Sequence, residues 1–160
     1  LCPGFSTDGP FKLAEPGEIY QTGLLCWAAG SASWLRGTKR GNATVADLVK
    51  KYKEGGKLDS DNALPEVNVI EVFLDIGISL KIMPSVDFTY CYVLGKLKTK
   101  GHLVLLSGST GNPMGHTRVV YGVGDPSNEY FSVFDPLNGR GFELRKFSEL
   151  SGNLYVGWAK

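Results

Sequence analysis

The segment Gln21-Thr22-Gly23-Leu24-Leu25-Cys26-Trp27-Ala28-Ala29-Gly30-Ser31-Ala32-Ser33-Trp34 sets a cysteine at the start of a predicted helix, with a glutamine five positions before it and a tryptophan directly after it. Gly23 breaks the chain ahead of the helix, the apolar pattern carries it over about Leu25–Leu35, and Arg36-Gly37 reads as its stop. Ala28, Ala29, Gly30 and Ala32 keep it slim, so other backbone can pack closely against it. A thiol at a helix N-terminus meets free N–H groups and the positive end of the helix dipole, and both favour a thiolate. Cys26 is therefore a candidate nucleophile. Position alone leaves a second reading open, a small and inert core cysteine.

Working outward, residues 1–20 are dense in breakers (Pro3, Gly4, Gly9, Pro10, Pro16, Gly17) and read as an irregular arm that Phe5, Phe11 and Leu13 could pin down. Thr44 is a good N-cap for a second helix over about Val45–Lys53, whose early Asp47 and late lysines suit the helix dipole. A third helix is expected over Leu64–Asp75, with Pro65 near its first turn and Gly77 as its C-terminal signal. Ile78–Met83 alternates as a short strand, and Asp87 is the expected cap of a fourth helix running to about Lys98. From Gly101 the period becomes two. Strands are predicted at His102–Ser107, His116–Val123, Tyr130–Phe134, Gly141–Leu144 and Leu154–Trp158, with Gly- and Pro-rich turns between them. Helices first and an antiparallel sheet later make an α+β chain, read as a single domain over residues 1–160.

Composition narrows the function classes. Seventeen basic and sixteen acidic residues leave a net charge of +1, which points to neither a nucleic-acid nor a membrane-surface partner. No apolar run reaches the length of a membrane span. The first residue is Leu1 and no signal-peptide pattern follows it, as expected of a mature or trimmed chain. Three cysteines do not make a disulfide framework. With Cys26 reserved for chemistry only Cys2 and Cys91 can pair, and free thiols are the expectation for so few cysteines. No His/Cys cluster has metal-ligand spacing, and neither metal nor cofactor is expected.

A cysteine nucleophile needs a base, and there are two histidines. His116 opens the strand that follows the Gly108–Gly115 turn, where a side chain can face a cleft while the strand holds it rigid. His102 precedes the apolar run Leu103–Leu106 and reads as structural. The imidazole in turn needs an orienting group. If residues 125–128 form a four-residue turn, Arg118 lies opposite Asp135, and alternation puts His116 and Asp135 on one face as diagonal neighbours. The competing readings are that Asp135 caps its Asp-Pro turn or pairs with Arg118. Two donors for a developing oxyanion are the Gln21 side-chain amide and the Cys26 backbone N–H. A solvent-facing loop amide is the alternative for Gln21.

Gln21, Cys26-Trp27-Ala28 at a helix start, Gly115-His116 opening a strand and Asp135-Pro136 closing the next resemble papain-like cysteine peptidases. The compact length and the Phe134–Phe142 turn are most similar to the bacterial branch, which includes secreted virulence (effector) proteases and bacteriocin-processing peptidases. The resemblance covers the order of elements over roughly residues 18–158. It implies a papain-like fold in which an N-terminal helical part carrying the nucleophile packs on the C-terminal sheet. It also implies a catalytic triad of Cys26, His116 and Asp135, an oxyanion hole that includes Gln21, and an acyl-enzyme. In this chain the Gln21–Cys26 separation is one residue shorter than in papain, and an aspartate stands where papain has an asparagine.

The leading expectation is an endopeptidase acting on a protein substrate, a host protein if the enzyme is secreted and delivered into a host cell. It leaves room for an activating host factor and expects a monomer. Papain-like folds also host glutamine deamidases and transglutaminases, which form the same acyl-enzyme from a side-chain amide. A non-catalytic papain-like binding module is the third reading. Specificity loops are expected at Lys57–Asn62 and Gly108–Gly115.

Overall fold

A computed structural model describes residues 2, 9–108, 116–150 and 152–160. The expected anchor Phe5, the breakers Pro3 and Gly4, and residues 109–115 of the glycine-rich turn lie outside the described residues. Among the described residues the order is β1 (Phe11–Lys12), α1 (Cys26–Gly37), α2 (Val45–Glu54), α3 (Glu66–Ile76), β2 (Ile78–Met83), α4 (Tyr90–Lys100), β3 (Leu103–Gly108), β4 (His116–Asp125), β5 (Tyr130–Asp135), β6 (Gly141–Lys146) and β7 (Asn153–Ala159). The strands form one antiparallel sheet in the order β2-β7-β3-β4-β5-β6, and β1 joins β4 off that path. The fold is α+β, with the helical part that carries Cys26 packed on the sheet. None of the helices is long and apolar enough to cross a membrane, among the described residues.

The sheet separates two apolar cores. Val104, Leu106, Val119, Phe134 and Tyr155 pack with Trp27, Ala28 and Ala32 of α1, with α2 and α3 beyond. Their strand neighbours Leu103, Leu105, Val120, Val133 and Val156 pack with Val93, Leu94 and Leu97 of α4. Alternation along a strand sends successive side chains to opposite faces, so a strand covered on both sides needs apolar residues at every position. That is why Leu103–Leu106 is an unbroken apolar run.

Local chemistry sets the helix ends. Thr44 accepts the Asp47 N–H at 3.0 Å while Asp47 accepts the Thr44 N–H at 2.9 Å, a reciprocal cap for α2. Gly77 ends α3 at φ +117°, a left-handed position that suits glycine. Pro65 stands at the N-cap of α3, directly before its first turn. The fourth helix begins later than expected: Thr89 caps it by accepting the Tyr92 N–H at 3.1 Å, and Asp87 sits in the preceding turn with its N–H on Pro84. A hydroxyl three residues before a free N–H wins over a carboxylate already placed in a turn.

Two further differences concern the arm. Within the stretch expected to be irregular, Phe11 and Lys12 pair with Val123 and Gly122 of β4, just past the point where β3 leaves that strand at Val120. Cys2 and Cys91 are joined by a disulfide, where free thiols were expected. Cys26 is the free cysteine, and it is buried.

Candidate active site

α1 brings Cys26 to one end of the sheet. Eleven of the twelve α1 residues are buried, and its hydroxyls are satisfied: Ser31 donates to the Trp27 carbonyl and Ser33 to the Gly17 carbonyl, both at 2.6 Å. Trp27 and Trp34 lock the helix by donating ring N–H groups to the carbonyls of Asn62 and His102. Gly30 lets α1 lie directly on β4, since a Cβ there would stand 2.4 Å from Thr117 Cγ2. Leu25 occupies the N-cap position and no side chain caps the helix, so its first N–H groups are not spent on a cap.

Thr117 is fully buried, and its hydroxyl donates to Cys26 Sγ at 3.9 Å. His116 lies on the other face of β4 by alternation, together with Arg118 and Val120. His116 Nε2 lies 2.5 Å from Asp135 Oδ1, and Cys26 is close enough to be among the groups that raise the imidazole. Asp135 closes β5 and is 1% exposed. Burial pulls the His116 imidazole down, but the hydrogen bonds from Asp135 and Cys26 and the Asp135 charge outweigh it and push it up to about 9. Burial pushes Asp135 up. Its bonds to His116 and the Leu137 N–H, with the charges of His116 and Arg118, hold the carboxyl below the ordinary carboxylate range.

His116 and Asp135 are thus hydrogen-bonded, with Cys26 near the imidazole. The competing readings of Asp135 turn out to be compatible with that bond. Oδ1 accepts the Leu137 N–H of the Asp-Pro turn at 2.9 Å, and Oδ2 accepts Arg118 Nε at 3.1 Å.

Gln21 is held at the same end of the molecule by its backbone. Its N–H donates to the Pro136 carbonyl at 2.8 Å, and its own carbonyl accepts Asn138 Nδ2 at 3.1 Å. Its side-chain amide bonds none of Cys26, His116 and Asp135. Nε2 donates to the Gly23 carbonyl at 2.9 Å, and Oε1 is buried with no hydrogen-bond partner among the described residues. His102 is a buried core histidine whose Nε2 bonds the Ala14 carbonyl at 2.6 Å. Of the two expected specificity loops, Lys57–Asn62 is tied to the residue after Cys26 through the Trp27–Asn62 bond. Most of Gly108–Gly115 lies outside the described residues.

Thr117 is the residue that sequence reasoning missed. Its signal was present, since it follows His116 and so faces the side of the sheet that α1 covers.

An α+β fold with a cysteine at a helix start, near a strand histidine that bonds a buried aspartate, defines the papain-like class of cysteine peptidases. The family described as papain-like cysteine protease AvrRpt2 matches residues 10–151, and this chain belongs to it. Its activity class is that of a cysteine protease, a hydrolase. Solved structures with a similar fold include the peptidase domain of Streptococcus ComA, a bifunctional ABC transporter involved in quorum sensing. That domain is 16% identical, with a TM-score of 0.60 over 89% of this chain and 97% of that one. Another is a double-glycine-motif protease from an AMS/PCAT transporter, solved in complex with its leader peptide. It is 18% identical, with a TM-score of 0.57 over 96% of both chains. A search of curated proteins returns no significant match.

Proposed function

We propose that this chain is an endopeptidase that cleaves a protein substrate through Cys26, His116 and Asp135, and that it works as a secreted bacterial effector on a host protein. The observation that carries the reading is Cys26 at the start of a buried helix, held against β4 by the Thr117 hydroxyl, with the neighbouring residue of that strand, His116, bonded to the buried Asp135. An imidazole pushed up to about 9 is protonated at neutral pH, and a positive ring beside a sulfur at a helix N-terminus favours the thiolate.

In this mechanism Cys26 Sγ attacks the carbonyl carbon of the scissile amide, and the C=O π pair moves onto oxygen. The backbone N–H of Cys26 and the second amide hydrogen of Gln21 receive that oxyanion. As the tetrahedral species collapses, the C–N bond breaks and His116 gives its proton to the departing amine. A water then loses a proton to His116 and attacks the thioester, the C–S bond breaks, and the acid product leaves. Asp135 keeps the ring in register through both half-reactions.

Two points support the wider setting. The Cys2–Cys91 bridge fits a chain that passes through an oxidising compartment. The double-glycine protease was solved with a peptide, which fits a peptide strand as substrate here and the Lys57–Asn62 loop as part of the wall that reads it. A host factor that activates the enzyme is compatible with this setting.

The test is incubation with a host extract followed by mapping of new protein N-termini. Cleavage is expected with the wild type and absent with Cys26→Ala or His116→Ala, both still folded. Asp135→Ala should retain a trace of activity, since an orienting group costs less than the nucleophile. Equal cleavage by Cys26→Ala would remove the mechanism. Targets that stay whole but gain about one dalton per site would instead identify a glutamine deamidase, the product of hydrolysing a side-chain acyl-enzyme. The absence of any Cys26-dependent change would favour a binding module.

A further inference from the structure

Asp135 is a buried carboxylate shared among three donors, two on β4 and one in the turn after β5. Oδ1 receives His116 Nε2 and the Leu137 N–H, and Oδ2 receives Arg118 Nε at 3.1 Å. A carboxyl group can turn about its Cβ–Cγ bond, and a turn would move the oxygen that faces His116. The Leu137 bond and the His116 bond both fall on Oδ1, so neither by itself fixes the plane. Arg118 is the group that holds the opposite oxygen. Leaving Oδ2 unpaired at 1% exposure would also strand half of a buried charge, which is costly.

We propose that Arg118 is a positioning residue of this active site: by holding Asp135 Oδ2 it sets the plane of the carboxylate, and through it the angle at which the His116 ring meets Cys26. The proposal rests on the triad reading given above. The register supports it. Val119 pairs with Phe134, so the next step along β4 and β5 sets Arg118 opposite Asp135, on the face that also carries His116. The guanidinium suits the task better than an ammonium, because a planar Nε–H has a fixed direction whereas a lysine is a point charge on a flexible stem.

The charge of Arg118 has a second effect, which separates positioning from mere support. His116 is faced by Asp135 from β5, by Cys26 from α1 and by Arg118 from its own strand. Asp135 is faced by His116 and Arg118, and Glu143 on β6 also feels both Asp135 and Arg118 while pairing with Arg140 and Arg145. Arg118 opposes the imidazolium charge. Removing it leaves Asp135 to hold the His116 proton more tightly, and the alkaline limb of activity moves to higher pH.

The experiment compares Arg118→Met and Arg118→Lys with the wild type, using a peptide that the wild type cleaves. Arg118→Met is expected to lower kcat roughly 10- to 100-fold with little change in KM, the size of effect that a small misplacement of a reacting group produces. It should also raise the pH at which His116 titrates, followed by NMR of the ring. Arg118→Lys keeps the charge, so it should return the titration to near its wild-type position while recovering only part of kcat. Unchanged kcat and unchanged His116 titration in Arg118→Met would overturn the proposal. So would full recovery of kcat by Arg118→Lys, which would reduce the role to charge alone. If Arg118→Met fails to fold, the partial kcat of folded Arg118→Lys decides. Failure of the triad reading is a distinct result: the wild type and Cys26→Ala would then turn over alike, while the ring titration would still report whether Arg118 controls His116.

Discussion

His116 carries the pH behaviour of the site. Its ring is pushed up to about 9 in the folded chain, against 6.5 for a free imidazole. A raised value means that the folded state holds the proton more tightly than the unfolded one. The resulting stability is fully present below about pH 6.5 and is lost as pH rises through about 9. Asp135 works in the opposite sense: its carboxyl is held down, so its contribution is present above the ordinary carboxylate range and disappears in acid. If the protonated ring is the working form, kcat/KM should fall on the alkaline side at about pH 9. Asp135→Asn should move that limb down, because it removes the charge that retains the proton. A pH profile of the two proteins checks this, and coincident limbs would detach His116 from the rate. At this scale the sequence was informative because chemistry restricts the choice. Two histidines were available, and the one heading an apolar run was unsuited to a cleft. Gln21 was less legible: no pattern in the chain foretells that its amide nitrogen turns to the Gly23 carbonyl two residues on.

The β4–β5 hairpin shows how a correct pairing can come from an incomplete premise. The expected four-residue turn puts Arg118 opposite Asp135, and the strands do bring those positions together. The turn itself is different. Asp125 pairs with Tyr130, a short 3-10 turn spans Pro126–Asn128, and Glu129 takes a left-handed φ of +61°. Two register shifts, between Val120 and Gly122 and between Val123 and Asp125, then restore the alignment lower down. Bulges add residues to one strand without any apolar signature, so period-two reading passes over them. The docking of α1 on the same strand is open to a direct test. Gly30→Ala improves helix propensity by up to ~1 kcal/mol, but its methyl would have to share space with Thr117 Cγ2. Overpacking a rigid contact costs about 1–3 kcal/mol, so the variant should melt lower and cleave more slowly as Cys26 is displaced. Adding Thr117→Ser removes the obstructing methyl and keeps the hydroxyl, and should restore both. Thermal melts and kcat for the single and double variants decide it, and a fully active, equally stable Gly30→Ala would mean that α1 does not rest on Thr117.

For the molecule as a whole, the sequence was legible where periodicity is long and poor where structure is brief or depends on distant pairing. Three helices, the strand Ile78–Met83 and the later strands emerged from their spacing, and Thr44 announced its cap. β1 did not, because two residues among glycines and prolines have no period. The bridge between Cys2 and Cys91 did not either, since 89 residues separate the partners and nothing local marks them. Closing a loop of that length stabilises a fold by roughly 2–5 kcal/mol in the chain-entropy account. Cys2→Ser with Cys91→Ser should therefore lower Tm by on the order of 10 °C. The bridge belongs to the α4-side core and Cys26 to the α1 side, so kcat of the folded variant should be unchanged. Calorimetry and a rate measurement in parallel test both halves, and a Tm equal to the wild type would mean that the arm is held by Phe11 and Leu13 without the bridge.

The contact between Thr117 and Cys26 spans 91 positions of the chain. Synthesis runs from the N-terminus, so the thiol leaves the ribosome long before the strand that carries Thr117 and His116 exists. A nascent or truncated chain therefore holds a cysteine without a partner. The complete site appears only after the β4–β5 hairpin has been made and has closed over the helix, and the order of the genetic message is itself a delay on the reaction.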